Sequence, residues 1–198
     1  MTITADQVRQ LREQTGAGMM ECKKALAQAG GDAQKAIEIL RKAGASRAEQ
    51  RAARAASEGL VDAYIHPGNR VGVLIEVNCE TDFVARTEEF RELVRNLAMQ
   101  AAAAGAEYLR PEDVPAERVA KEKDIFAAQL ASEGKPARMI DTIVEGKLRK
   151  FYSEVCLLEQ PYIRDDKLTV KDLITQAAAK TGENVQVRRF VRFRLGQE

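Results

Sequence analysis

Few residues in this chain are of the kinds that carry out covalent chemistry. His66 is the only histidine; it stands beside Pro67-Gly68 in a turn-forming run, where a surface turn residue is expected and not a general base. The three cysteines, Cys22, Cys79 and Cys156, lie far apart with no CxxC pair. That fits neither a zinc site nor a disulfide framework, and it suits a reducing cytoplasm. With one histidine and scattered thiols, the Ser/His/Asp, Cys/His and metal-ligand arrangements cannot be assembled. Carboxylates are numerous, 30 in all, yet no pair stands apart from what a solvated helix surface shows. Gly16-Ala17-Gly18 is like a phosphate-binding turn only superficially, because it follows a helix and lacks the full set of glycines. No GxxxxGK[ST] run occurs. The expectation is a protein that is not an enzyme and has no metal and no cofactor of its own.

One segment breaks the pattern around it. Asn78-Cys79-Glu80-Thr81-Asp82-Phe83-Val84-Ala85-Arg86 joins an alternating apolar strand to a long amphipathic helix. Thr81 or Asp82 can cap a short helical turn there, which puts Phe83 just past a strand end. Two readings are open at this point. Phe83 is a staple packed down onto the sheet, or it is a projecting anchor, flanked by an acid, that enters a pocket on a partner.

The elements that position this segment follow from periodicity. Thr4 is an N-cap for a helix carrying Val8 and Leu11, stopped at Thr15-Gly16-Ala17-Gly18. A second helix spans residues 19–29, with Met19, Met20, Cys22 and Leu26 around a partly apolar face. Asp32 opens a third, with Ala36, Ile37 and Leu40 at helical spacing, expected to end at Gly44. These make a three-helix module over residues 1–45 with a very small core. Residues 46–58, rich in Ala, Arg and Gln, read as a helical, solvated linker. From residue 59 the period changes to two. Val61, Ala63 and Ile65, then Val71, Val73, Ile75, Val77 and Cys79, predict a β-hairpin with one buried face, turning at His66-Pro67-Gly68-Asn69-Arg70. Phe90, Leu93, Val94, Leu97, Ala98 and Ala101 share one helix face. Two charged helices on either side of Gly134-Lys135 are antiparallel neighbours. A loop through Pro161 and Asp165-Asp166 follows, and Thr169 with Asp172 resembles a capping box. In residues 184–195, Val185, Val187, Val191, Phe193 and Leu195 point one way, with Arg188, Phe190, Arg192 and Arg194 opposite. This strand is expected to join the hairpin as a third, antiparallel one. The predicted fold class is therefore α+β: a helical module, a linker, then a 59–198 core in which a three-stranded antiparallel sheet is covered by helices.

Composition narrows the class. Of 198 residues, 45% are apolar, as in a globular protein. Lys and Arg number 31 against 30 acids, which argues against a general polyanion binder. The N-terminus has no secretory pattern, and no stretch approaches a membrane span. A soluble cytoplasmic protein with no membrane partner is expected.

Three motifs resemble those of one family. Leu11-Arg12-Glu13-Gln14-Thr15-Gly16-Ala17-Gly18-Met19-Met20-Glu21-Cys22-Lys23-Lys24-Ala25-Leu26 is similar to the N-terminal signature of bacterial elongation factor Ts. Glu76 to Arg86 is similar to its second signature. Val144-Glu145-Gly146-Lys147-Leu148, with Glu154 to Pro161, is similar to a third. In order, these span nearly the whole chain. The resemblance implies a ubiquitin-associated-like helical module that docks on the nucleotide-binding domain of elongation factor Tu, GDP-bound or nucleotide-free. Its docking residues would be Leu11, Arg12, Thr15, Gly16, Ala17, Gly18, Met19 and Met20. It implies guanine-nucleotide exchange carried by Thr81, Asp82, Phe83 and Val84, which disturb Mg²⁺ and the phosphate side of the partner's nucleotide site. The single core copy resembles the short form of the family, which implies a homodimer; Phe190 on the arginine-bearing face of the last strand is a candidate contact.

Two other functions compete. Arg188-Arg189-Phe190-Val191-Arg192-Phe193-Arg194 and the run from Arg47 to Arg54 mix basic and aromatic residues as RNA-binding surfaces do. Against this, Phe193 is in phase with the core face and the net charge is only +1, so no direct nucleic-acid partner is expected. A purely structural interaction module would explain the helical head but leaves the Asp82-Phe83 junction without a purpose.

Overall fold

The computed structural model describes residues 3–197. Met1, Thr2 and Glu198 lie outside the described residues, and with them the outer ends of the expected 1–45 and 59–198 segments and the first residues of the N-terminal pattern. The side chains of residues 45, 48 and 49 lie outside as well. The fold is α+β, and its three-stranded antiparallel sheet has the order β1-β2-β5, with β1 Glu58–Ile65, β2 Val71–Cys79 and β5 Gln186–Arg194. The chain divides into two compact units.

The first unit holds the residues up to Leu60 together with Val77–Arg91 and Ile174–Gln186. Its helices α1 (Ala5–Thr15), α2 (Met19–Gln28) and α3 (Ala33–Arg51) start and stop for local reasons. The Thr4 hydroxyl accepts from the Gln7 N–H at 3.3 Å, and the Gln7 carbonyl Oε1 accepts from the Thr4 N–H at 3.0 Å. This is a reciprocal cap. Gly16 ends α1 in the left-handed region, φ 67°, where glycine has no steric penalty. The Asp32 carboxylate accepts from the Gln34 and Lys35 N–H groups and opens α3. Val8, Leu11, Cys22, Ala25, Leu26 and Ala36 form the core, with Ile37 and Leu40 packed against it.

The third helix does not end at Gly44 as its glycine suggests. A glycine inside a helix costs only about 1 kcal/mol against alanine, and here it is used for a close approach. A Cβ at Gly44 would sit 3.6 Å from the Cβ of Ala179, on α8 (Val170–Thr181). The helix continues to Arg51, held by an Arg47–Glu21 ion pair and by an Arg51 guanidinium hydrogen bond to the Ala178 carbonyl at 3.0 Å.

The second unit holds Val61–Glu76, Glu92–Leu173 and the residues from Val187 on. Its hairpin turn is closed by the His66 N–H donating to Val71 O at 2.9 Å, with Gly68 and Asn69 both at positive φ. On α5 (Glu88–Ala103) the expected stripe from Phe90 to Ala101 is buried. Helices α6 (Ala116–Ser132) and α7 (Ala137–Val155) pack as neighbours, with Arg118 over the rings of Tyr108 and Phe151 and Lys147 over Phe126. The Thr169–Asp172 capping box is present at 2.8–3.1 Å. The expected loop after Pro161 is instead a small hairpin, β3 (Pro161–Tyr162) with β4 (Asp165–Thr169). Buried Gln100 and Gln160, hydrogen-bonded at 3.1 Å, hold this hairpin through Pro161 O and the Ile163 N–H.

The sheet departs from expectation in which side chains it buries. Val73, Ile75 and Val77 are buried as expected, but Val61, Ile65 and Leu74 are exposed. On β5 the alternation slips by one residue after buried Val187, since Arg188 and Arg189 are both exposed and Phe190 is half-buried. Phe193, expected on the core face, is 70% exposed beside Val191 and Leu195, while Phe190, expected on the open face, is partly covered. A one-residue slip moves every later side chain to the other face. Arg189 therefore meets Glu76 at 2.7 Å on the open side of the sheet.

Candidate functional site

The junction after β2 is a turn with every polar group of its leading residue engaged. Thr81 is the N-cap of α4 (Asp82–Ala85), its hydroxyl accepting from the Val84 N–H at 3.4 Å. The Thr81 carbonyl accepts from the Cys79 thiol at 3.2 Å and from the Ala85 N–H at 3.3 Å. Thr87 then caps the next helix, taking the Phe90 N–H at 3.2 Å. Asp82 is half-exposed and ion-paired with Arg86 at 2.9 Å. Val84 is half-buried and Ala85 is buried beneath the turn. Phe83 is 80% exposed, so the ring is not a staple on the sheet. It stands in solvent on a backbone whose direction is fixed by its neighbours.

Two residues distant in sequence complete the turn. The Glu183 carboxylate accepts from the Glu80 N–H at 3.0 Å, the Thr81 N–H at 3.1 Å and the Thr81 hydroxyl at 2.6 Å. In return, the Glu80 carboxylate accepts from the Asn184 N–H at 2.6 Å and pairs with Arg54 at 3.5 Å. Asn184 is buried and its amide donates to the carbonyls of Ala52 and Arg54. Sequence reasoning gives these residues no part in the turn: it does not single out Glu183, it places Asn184 only at the start of the last strand and Arg54 only in the basic run, and nothing local marks any of them as a clamp on residue 81. The turn is closed to titration from below: burial, joined by the Glu183 charge, pushes the Cys79 thiol up to about 11.

The same unit carries the α1–α2 loop. Leu11 is buried in the module core, whereas Arg12, Gly16 and Gly18 are exposed and Thr15 and Ala17 half-buried. Met19 is 44% and Met20 65% exposed, so both point away from the core that Cys22 and Leu26 enter. The Thr15 hydroxyl donates to Leu11 O at 2.7 Å, and the Ala17 carbonyl accepts from the Cys22 thiol at 3.7 Å, which fixes the loop from inside. The Gly18 N–H donates to Glu21, whose carboxyl is held below the usual range by the Arg47 guanidinium, with burial opposing. Gly16 lies against the stem of Lys180, which pairs with Glu89 at 2.6 Å. The chain thus presents two exposed apolar features in one compact unit, a flexible methionine pair and a single ring, each on a hydrogen-bonded backbone. Such features suit recognition of another macromolecule. Among the described residues no group of three His, Cys, Asp or Glu is placed to hold a metal ion.

Comparison with known proteins agrees. Residues 4–197 match the family described as elongation factor TS. The chain is 58% identical over 195 residues to elongation factor Ts of Carboxydothermus hydrogenoformans, covering 98% of this chain and 90% of that protein. It is 61% identical over 195 residues to elongation factor Ts of Moorella thermoacetica, covering 98% and 96%. For that of Caldanaerobacter subterraneus subsp. tengcongensis the identity is 60% and the coverage 98% of both chains. The chain belongs to the elongation factor Ts family.

Proposed function

We propose that this member of the elongation factor Ts family is a guanine-nucleotide exchange factor that promotes GDP release from elongation factor Tu in the cytoplasm. The observation that carries this reading is the exposure of Phe83, 80%, on a turn whose backbone is hydrogen-bonded immediately before and after the ring. A ring held out in water by a rigid turn is an anchor waiting for a pocket. Its burial in a partner is worth about 1.2–2.4 kcal/mol, four fifths of the value for a fully exposed phenylalanine. Thr81 forms the turn, Val84 supports it from below, and Asp82 adds negative charge beside the ring, steadied by Arg86. The exposed Arg12, Gly16, Gly18, Met19 and Met20 form the docking surface of the helical module, with Thr15 and Ala17 shaping the loop and Leu11 holding it from the core.

The partner's Mg²⁺ makes the mechanism workable. Mg²⁺ keeps several waters and needs near-ideal octahedral geometry, so small shifts of its few protein ligands weaken it. Phe83, wedged between elements of the partner, displaces those ligands without touching the nucleotide. If the factor weakens GDP binding, GDP weakens factor binding by the same ratio, and incoming nucleotide releases the factor for another round. No covalent chemistry of its own is needed.

The active unit is a homodimer formed through the open sheet face. Val61, Ile65, Leu74, Val191, Phe193 and Leu195 are exposed there together, a concentration of apolar surface that a monomer in water seldom keeps. The test of the principal reading is release of a fluorescent GDP from elongation factor Tu. Strong acceleration by micromolar protein is expected; an unchanged release rate overturns the reading.

A further inference from the structure

We propose that Glu183, which makes no part of the exposed surface at Phe83, is the positioning residue that holds that ring in its working orientation. The inference rests on the exchange reading above and deepens it. Phe83 has almost no packing of its own, being 80% exposed, so only its backbone can aim it. That backbone is set immediately before the ring by Glu183, about a hundred residues further along the chain, through three hydrogen bonds to Glu80 and Thr81.

The shortest of the three, from the Thr81 hydroxyl at 2.6 Å, has a second effect. A hydroxyl has one proton and two lone pairs. With its proton committed to Glu183, the Thr81 oxygen presents a lone pair to the Val84 N–H and so caps the turn that carries Phe83. A charged acceptor makes each of these bonds stronger than a neutral one would. The reciprocal bond from the Asn184 N–H to Glu80 at 2.6 Å locks the connection between α8 and β5 against the turn from the other side.

The end of α8 that leads into this connection meets the helical module: Ala178 O takes Arg51 at the end of α3, and the stem of Lys180 lies against Gly16 of the α1–α2 loop while its ammonium reaches Glu89. The stretch from Ala178 to Asn184 thereby touches the loop that precedes the methionine pair, at Gly16, and the turn that precedes the ring, at Glu80 and Thr81, and so ties the two backbones together. Preorganisation of this kind acts on the rate, because an anchor that must be ordered on arrival gives up part of its binding energy.

The test uses the full chain in four forms: parent, Glu183→Ala, Glu183→Gln and Phe83→Ala. Amide hydrogen exchange of the free protein and catalysed GDP release from elongation factor Tu are both read. Glu183→Ala is expected to lose protection at the Glu80 and Thr81 amides and to lower kcat/KM by about tenfold or more, up to but not beyond the roughly 60-fold that loss of the ring itself would cost. Glu183→Gln keeps an oxygen for the two amides and an N–H for the Thr81 oxygen, and it should stay within about threefold of the parent. The decisive arm is a double-mutant cycle. In a Phe83→Ala background, Glu183→Ala should cost less than about twofold, because its effect runs through the ring.

Losses that multiply instead, or a Glu183→Ala protein as active as the parent while Phe83→Ala is impaired, overturn this inference and leave the exchange reading intact. A fully active Phe83→Ala protein overturns the anchor reading and this inference with it. Should Glu183→Ala fail to fold, Thr81→Val, which removes the hydroxyl bond and keeps the two amide bonds, is held to the kinetic outcomes alone: a loss of catalysis that vanishes in the Phe83→Ala background supports the inference, and one that multiplies, or no loss at all, overturns it.

Discussion

Replacing Phe83 by alanine separates an anchor from a structural ring, because the two roles give opposite magnitudes. Full burial of a phenylalanine side chain is worth about 1.5–3 kcal/mol. The ring is 80% exposed, so one fifth of that, roughly 0.3–0.6 kcal/mol, is its share in the stability of the free protein. The melting temperature should fall by no more than about 2 °C. The remaining four fifths, roughly 1.2–2.4 kcal/mol, becomes available when a partner covers the ring. At 1.36 kcal/mol per factor of ten, its loss lowers kcat/KM for catalysed GDP release by about 8- to 60-fold. A ring engaged before GDP leaves will show this in KM, and one engaged only as Mg²⁺ is displaced will show it in the maximal rate. Stopped-flow release of a fluorescent GDP, over a range of factor concentrations, gives both. A folded Phe83→Ala protein that catalyses within threefold of the parent refutes the anchor. A fall in melting temperature above about 10 °C would show instead that the ring is structural.

Three further outcomes are expected. Sedimentation equilibrium at micromolar protein should give a dimer mass for the parent and a monomer mass for Phe193→Asp, which sets a charge in the open apolar face; a monomeric parent removes the dimer. Gly59→Ala should destabilise by about 3 kcal/mol, combining backbone strain with overpacking. At φ 141° a Cβ there would lie 2.1 Å from the Val77 carbonyl oxygen, and an urea midpoint equal to the parent's would contradict that geometry. The Cys79 and Cys156 thiols, both raised to about 11 mainly by burial, stay protonated in the folded chain at a pH where they ionise in the unfolded one. Their contribution is complete below pH 9, the ordinary thiol value, and declines as the pH rises towards about 11. Urea unfolding at both ends of that window should show a steeper alkaline loss for the parent than for the Cys79→Ala, Cys156→Ala double variant; equal slopes would show that the thiols are not buried as described.

What was legible in the sequence is what is decided locally. Thr4, Asp32, Thr81 and Thr169 each cap the helix that follows them because cap and target are within three residues. The stripe from Phe90 to Ala101 is buried because its period admits one face only. The sheet was less legible, since β1 and β5 carry apolar residues on both phases. Leu60 and Tyr64 compete with Val61 and Ile65, and Phe190 competes with Phe193. Alternation alone says that two faces exist, and the slip after Val187 decides which of them is covered.

The orientation of Phe83 belongs to a third kind of information. Its neighbours in sequence permit a staple as readily as an anchor, and no periodicity separates the two. The choice is made by Glu183 and Asn184, which follow α8 and are brought to the turn only by tertiary folding. A residue pair at that separation leaves no trace in a local pattern. The pair matters because the ring has given up the usual means of being held. A phenylalanine that packed against its own protein would be well positioned and unavailable; one that projected from a loose turn would be available and poorly positioned. Placing the hydrogen bonds on the backbone before the ring gives both properties at once, at the small cost of one exposed aromatic.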